Sequence, residues 1–132
     1  MRAAASVSAQ PRATDPRPRL GRTGEDAAAR YLHSLGYRIR ARNVRIGRAE
    51  LDLVAVRGGG VVFCEVKTRR GAGMGVPEEA VTHAKQRRIV RAAEGWLARR
   101  RWTGQVRFDV ISITVEAGGR LALRHLEDAF RP

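Results

Sequence analysis

Lysine is almost missing from this chain of 132 residues: 26 positions carry Lys or Arg, and only Lys67 and Lys85 are lysine. Cysteine is scarcer still. Cys64 stands alone, which excludes an internal disulfide and fits a reducing, cytoplasmic setting. No run approaches the ~20 apolar residues of a membrane helix, so no membrane partner is expected. The first 22 residues also lack the apolar region of about 7–15 residues that a secretory leader needs. Acidic residues number 13, half the basic count, leaving a net charge of +13 and a pI near 11.6. That balance points to a polyanionic partner, most simply nucleic acid.

The two lysines carry more information than the arginines. Where positive charge alone is needed, this sequence writes Arg. A lysine supplies something different: a compact, rotatable ammonium in place of a planar fork.

Residues 1–22 carry three prolines and five arginines against one aspartate, with no hydrophobic period, and read as a disordered basic tail. One domain is expected over residues 23–132. "TGEDAAARYLHSLGY" reads as a helix, with Thr23 and Asp26 in a capping box and Ala27, Ala28, Tyr31, Leu32 and Leu35 on one face. Three strands follow at about 37–43, 49–56 and 60–68, the last two joined by a turn over Arg57–Gly60. "GAGMG" lacks the spacing and lysine of a phosphate-binding loop and reads as a mobile connection. Pro77-Glu78-Glu79 opens a long helix to about Arg101, with Val81, Ala84, Ile89, Ala92, Ala93, Trp96 and Leu97 as its apolar stripe. "QVRFDVISITV" and "RLALRHL" close the chain as strands. The order αβββαββ predicts an α/β fold, a mixed sheet flanked by helices.

Residues i and i+2 of a strand share a face. Glu65 therefore points with Lys67, away from Cys64 and Val66, and Glu50 points with Asp52, away from Leu51 and Leu53. If the two strands pair, three carboxylates and a lysine converge at one end of the sheet. Such anions are costly beside a buried strand unless a cation offsets them. A divalent ion with oxygen ligands, Mg²⁺ above all, suits that chemistry. The competing reading is a surface salt-bridge ladder.

"AELDLVAV" followed by "EVK", thirteen residues from Asp52 to Glu65, resembles the PD-(D/E)xK nuclease signature of restriction endonucleases and archaeal Holliday-junction resolvases. The wider series "GEDAAARYLHSLGYRIRARN…ELDLVA…VVFCEVKTR…GVPEEAV…K…RI" and "VRFDVISI" is similar to the YraN-like family of bacterial proteins, over about residues 21–130. The resemblance implies a restriction-endonuclease-like fold and a metal-dependent endonuclease acting on DNA, with branched or flapped DNA as the analogous substrate. It implies that Asp52, Glu65 and the Val66 carbonyl hold Mg²⁺, with Mn²⁺ as a substitute, and that Lys67 orients water or stabilises developing charge. Glu50 and Glu25 match further acids of the family. Glu25 also reads as a first-turn acid on the helix dipole. One departure is Ala49, where the family generally has glycine, which puts the local backbone approach in question.

Arg69, Arg70, Lys85 and Arg88 are the candidate phosphate contacts, Lys85 alternatively supporting the site. Arg107 and Asp109 share a strand face and suit a structural ion pair. Cys64 reads as a small buried hydrophobe, and His33, His83 and His125 lack ligand spacing. Trp102 reads as a helix cap or a partner contact. Two other classes of function compete with the nuclease. One is a non-catalytic nucleic-acid-binding domain; the other is an interaction module on a DNA-processing partner or in a homodimer.

Overall fold

The computed structural model describes residues 5–8, 20–71 and 81–132. Its elements are β1 (Ala5–Ser8), α1 (Leu20–Ser34), β2 (Arg38–Ile46), β3 (Ala49–Arg57), β4 (Gly60–Arg70), α2 (His83–Arg99), β5 (Gln105–Val115) and β6 (Arg120–Leu126). They form one mixed sheet in the order β1-β6-β5-β4-β3-β2, in which only β4 and β5 run parallel. A parallel pair needs a crossover, and α2 supplies it. The expected order αβββαββ holds from α1 to β6.

Helices cover both faces. Toward α2, Val61, Phe63, Trp96, Phe108 and Val110 make one core cluster; toward α1, Ala28, Leu32, Val62, Cys64 and Ile111 make the other. Period-two alternation along β4 divides these sets, odd residues facing α2 and even residues α1. Cys64 is buried in the α1-side cluster, as its apolar surroundings imply.

Several boundaries differ from the sequence reading. Ala5–Ser8, expected within the tail, pair with Leu123–Arg120 of β6, and α1 begins at Leu20. Residues 1–4 and 9–19 of that tail lie outside the described residues. Thr23 consequently sits inside α1 and does not cap it, and Asp26 instead pairs with Arg42 of β2 at 2.6 Å. The cap of α2 is Thr82, whose hydroxyl accepts from the Lys85 N–H at 3.2 Å. The expected start at Pro77 and the loop over 72–75 fall outside the described residues. Ala84, assigned to the apolar stripe, is exposed in the first turn, whereas Ile89, Ala92, Ala93 and Trp96 are buried. Trp102 closes the far end of α2, its N–H bonding Leu97 O at 3.1 Å and its indole bonding Gln105 O at 3.2 Å.

Candidate active site

The pairing of β3 with β4 ends at Leu53 and Cys64. Beyond that point the two strands separate, while β4 stays paired with β5 to Arg70. Asp52 and Glu65 are the first residues past the split. The Val66 N–H, with no β3 backbone partner there, donates to Asp52 Oδ2 at 2.9 Å. In an extended strand the N–H and C=O of one residue face the same neighbour, so the Val66 carbonyl also faces the gap.

The ladder between β2 and β3 is irregular opposite the same spot. Asn43 lies between the pairs Arg42–Leu53 and Val44–Leu51, and its φ of 52° is left-handed, a conformation asparagine tolerates better than most residues. Strict alternation fails across Asp52 as well. Leu51 packs in the α2-side cluster and Leu53 in the α1-side cluster, so they do not share the face that alternation assigned them.

Asp52 and Glu65 approach closely enough to share a proton. Burial and the Glu65 charge push the Asp52 carboxyl up to about 7, with the Val66 N–H opposing and the Glu25 charge adding a smaller upward push. Glu65 is 5% exposed, and Lys85 of α2 meets its Oε1 at 2.8 Å. The chain's two lysines also meet each other. Burial, then the bond and charge of Lys85, lower the Lys67 pKa; Glu65 and Asp52 oppose that change. Burial acts against the charge on Lys85, yet its bonds to Glu65 and Lys67 raise it. Thus Asp52, Glu65, Lys67 and Lys85 form one cluster.

The remaining candidates sit around it. Glu25 is in the second turn of α1, so the first-turn dipole reading does not hold; its charge reaches Asp52 instead. Gly24 brings it there. A Cβ at Gly24 would collide with Thr68 Oγ1 of β4, so only glycine lets the helix lie this close. Gly24→Ala should therefore cost about 1–3 kcal/mol through overpacking, and Thr68→Ala in the same chain should restore part of it. Denaturant midpoints of the two single variants and the double variant check this. Additive effects would show that the contact does not couple α1 to β4.

Glu50 lies at the rim, 3.6 Å from Arg45. Ala49 has no left-handed φ, so its backbone does not demand the family's glycine. A cleft of about 360 Å³ between the β2–β3 turn and α2 is lined by Arg48, Ala49, Glu50, Asp52, Glu65, Lys85, Arg88 and Ile89. Arg69 shares the β4 face of Glu65 and Lys67, while Arg70 is exposed on the other. Sequence reasoning missed Arg48. Its position two residues before Glu50 was visible, but nothing local marks a turn arginine as facing a helix that starts 35 residues later.

The Arg107–Asp109 pair expected from the sequence belongs to a larger polar cluster, and the part played in it by His125 and Cys64 was missed. Asp109, His125 and Cys64 each offer a ligand-type atom within 4.8 Å of the others, all buried on the α1 side. Asp109 accepts from Arg107 Nε and Nη2 at 2.8 Å each and from the Asp128 N–H at 3.0 Å; its Oδ2 meets His125 Nε2 at 2.7 Å. His125 Nδ1 meets Tyr31 O–H at 3.0 Å, and Arg107 donates to Tyr37 O–H at 3.0 Å. These bonds fill all four acceptor positions of the carboxylate. Burial also pushes the Cys64 thiol well up, away from the thiolate form that a metal binds. The cluster is a closed network tying α1 to β5, β6 and the chain end.

An α/β domain whose central strands part around two carboxylates and two lysines is the class that fold and site define. The family model described as "Uncharacterised protein family UPF0102" matches residues 24–113, and the chain belongs to that family. This is the YraN-like family whose blocks the sequence resembles. A UPF0102 protein of Symbiobacterium thermophilum is 51% identical over 116 residues, covering 85% of this chain and 96% of the relative. One from Rhodococcus opacus is 50% identical over 113 residues, covering 84% and 95%. One from Geobacter sulfurreducens is 50% identical over 112 residues, covering 84% and 88%. None of these names states an activity. Among the described residues no helix is long and apolar enough to cross a membrane.

Proposed function

We propose that the chain is a metal-dependent DNA endonuclease, hydrolysing phosphodiester bonds at the cleft between the β2–β3 turn and α2. One observation carries this reading. Two carboxylates share a part-buried gap in the sheet, where burial first and then the Glu65 charge push the Asp52 carboxyl up to about 7. A cation would offset the two charges, and the donors are hard oxygens, which suit Mg²⁺ or Mn²⁺. Asp52, Glu65 and the Val66 carbonyl would hold the ion. When bound, such an ion polarises the scissile phosphate and lowers the pKa of its water.

The chain's own residues do the rest. Lys67, on the same face as Glu65, places donors on the attacking water or on the phosphate oxygen that gains charge. Arg48 and Arg88 on the rim pair with phosphates on either side of the cleft. The net charge of +13 draws DNA to the surface. Branched or flapped DNA remains the preferred substrate by analogy with the resolvases.

The test uses Lys67→Arg. If charge alone mattered, the change would be nearly silent in a chain that uses arginine almost everywhere. If donors must be placed at the site, a misplacement of about 1 Å costs ~10²-fold in rate. The expected outcome is parent-like DNA binding with single-turnover cleavage slowed by about that factor, on a panel of linear, flapped and four-way DNAs with Mg²⁺ or Mn²⁺. A parent that cuts none of them under any metal condition would refute the nuclease reading. Parent-like cutting by the arginine variant would remove Lys67 from the mechanism.

A further inference from the structure

The two lysines of this chain meet each other, and one of them, Lys85, is seated on Glu65, although α2 and β4 are separated by residues 71–82. Lys85 holds Glu65 Oε1 at 2.8 Å from the first turn of α2, and that turn is fixed. Thr82 accepts from the Lys85 N–H at 3.2 Å, and the Gln86 side chain donates to Val81 O at 3.0 Å. The ammonium is therefore a built part of the site, seated on an almost fully buried oxygen.

A two-ion site needs carboxylate oxygens enough for both ions, about 3.5–4 Å apart. Here the inner acids are Asp52 and Glu65, and one Glu65 oxygen is already taken by Lys85. Glu50 is turned to Arg45 at the rim. Glu25 contributes charge to Asp52, and no described hydrogen bond or ion pair of this acid is part of the cluster. A second divalent ion would find too few donors and would have to sit against a cation.

Building on the nuclease reading, we infer that the Lys85 ammonium supplies the positive charge that a second divalent ion would otherwise bring to Glu65, so that the site takes one ion per chain. Lysine suits this role. It presents a compact charge of one sign, whereas arginine's planar fork spreads its donors. It also explains why the second of only two lysines lies on α2, a helix that is otherwise rich in arginine.

Counting bound Mn²⁺ by electron paramagnetic resonance during titration of the full chain tests the inference. Asp52→Asn serves as the blank for ions held elsewhere. The parent is expected to bind one ion above that blank, and Lys85→Glu, which exchanges the ammonium for a donor in the same turn, is expected to bind two. Two ions in the parent would overturn the inference while leaving the metal reading intact. No ion in the parent would overturn the metal reading and the inference together. One ion in a folded Lys85→Glu chain would show that the ammonium is not what excludes the second. Should that variant not fold, Lys85→Gln decides. With the repelling charge removed, Mn²⁺ should bind several-fold more tightly, and an unchanged affinity would overturn the role given to Lys85.

Discussion

Asp52→Asn should abolish metal-dependent cleavage and, in the absence of metal, make the protein more stable than the parent above pH 7. The two effects share one cause. In the folded parent the Asp52 carboxyl titrates at about 7, raised first by burial and then by the Glu65 charge. Its unfolded value is about 3.9. A raised carboxyl favours the folded state fully only below the unfolded value. That contribution is lost progressively as pH rises from about 4 through about 7, because the unfolded chain ionises first, and it amounts to about 4 kcal/mol at most.

Asparagine keeps an acceptor for the Val66 N–H and removes the titration. The metal-free parent should therefore lose more stability than the variant between pH 5 and 8. Thermal melts across that range, with chelator present, measure it. Adding Mg²⁺ or Mn²⁺ should stabilise the parent more at pH 8 than at pH 6, with proton release on binding. The variant should show little of this metal effect. Parallel pH curves for parent and variant would contradict the raised Asp52 carboxyl, and with it the burial and the Glu65 charge that raise it. Cleavage by Asp52→Asn at the parent's rate would place the metal site elsewhere.

Asp109→Ala should be the most damaging single change to the fold. The carboxylate is fully buried and engages Arg107 twice, His125, and the Asp128 N–H. Removing the carboxylate leaves buried His125 and part-buried Arg107 without their shared anionic partner, although their bonds to Tyr31 and Tyr37 remain. Breaking a buried pair in this way costs about 3–5 kcal/mol. Against a typical domain stability of about 5–15 kcal/mol, that is a large fraction. An unfolding free energy from denaturant titration within about 1 kcal/mol of the parent's would show that the network is not what joins α1 to the end of the chain.

The same carboxylate adds an acid-side pH dependence. Burial alone would raise its pKa, but the bonds from His125, Arg107 and the Asp128 N–H outweigh burial and hold it below the usual range. Its contribution is complete above the unfolded value of about 3.9 and is lost as pH falls through the lower folded value. Asp52 and Asp109 thus act in opposite directions along the pH axis. The metal-free protein should lose stability above pH 4 through the first and below pH 4 through the second.

What this sequence determined by itself is whatever depends on short-range periodicity. The strand from Gln105 to Val115 was legible to the residue because its apolar alternation, closed by Ala117-Gly118-Gly119, has no competing local reading. The "EVK" step was legible because i and i+2 share a strand face whatever the rest of the fold does. The pairing of Arg107 with Asp109 follows from the same spacing.

Only the tertiary structure decided what depends on where elements separate or meet. Alternation placed Leu51 and Leu53 on one face; the parting of β3 from β4 after Leu53 and the left-handed Asn43 opposite placed them on two. Thr23 and Asp26 spell a cap locally, but the helix continues back to Leu20 and Asp26 is taken by Arg42 across α1 and β2. Lys85 stood out in the sequence as a phosphate contact or a support of the site, and which carboxylate it meets was decided by α2 crossing over the end of β4. Gly24 looks like one small residue among several alanines until Thr68 fills the space where its Cβ would be. The physical reason is the same in each case. Periodicity fixes a side chain's direction relative to its own backbone, whereas contact at 3 Å depends on two backbones whose approach is set by packing elsewhere.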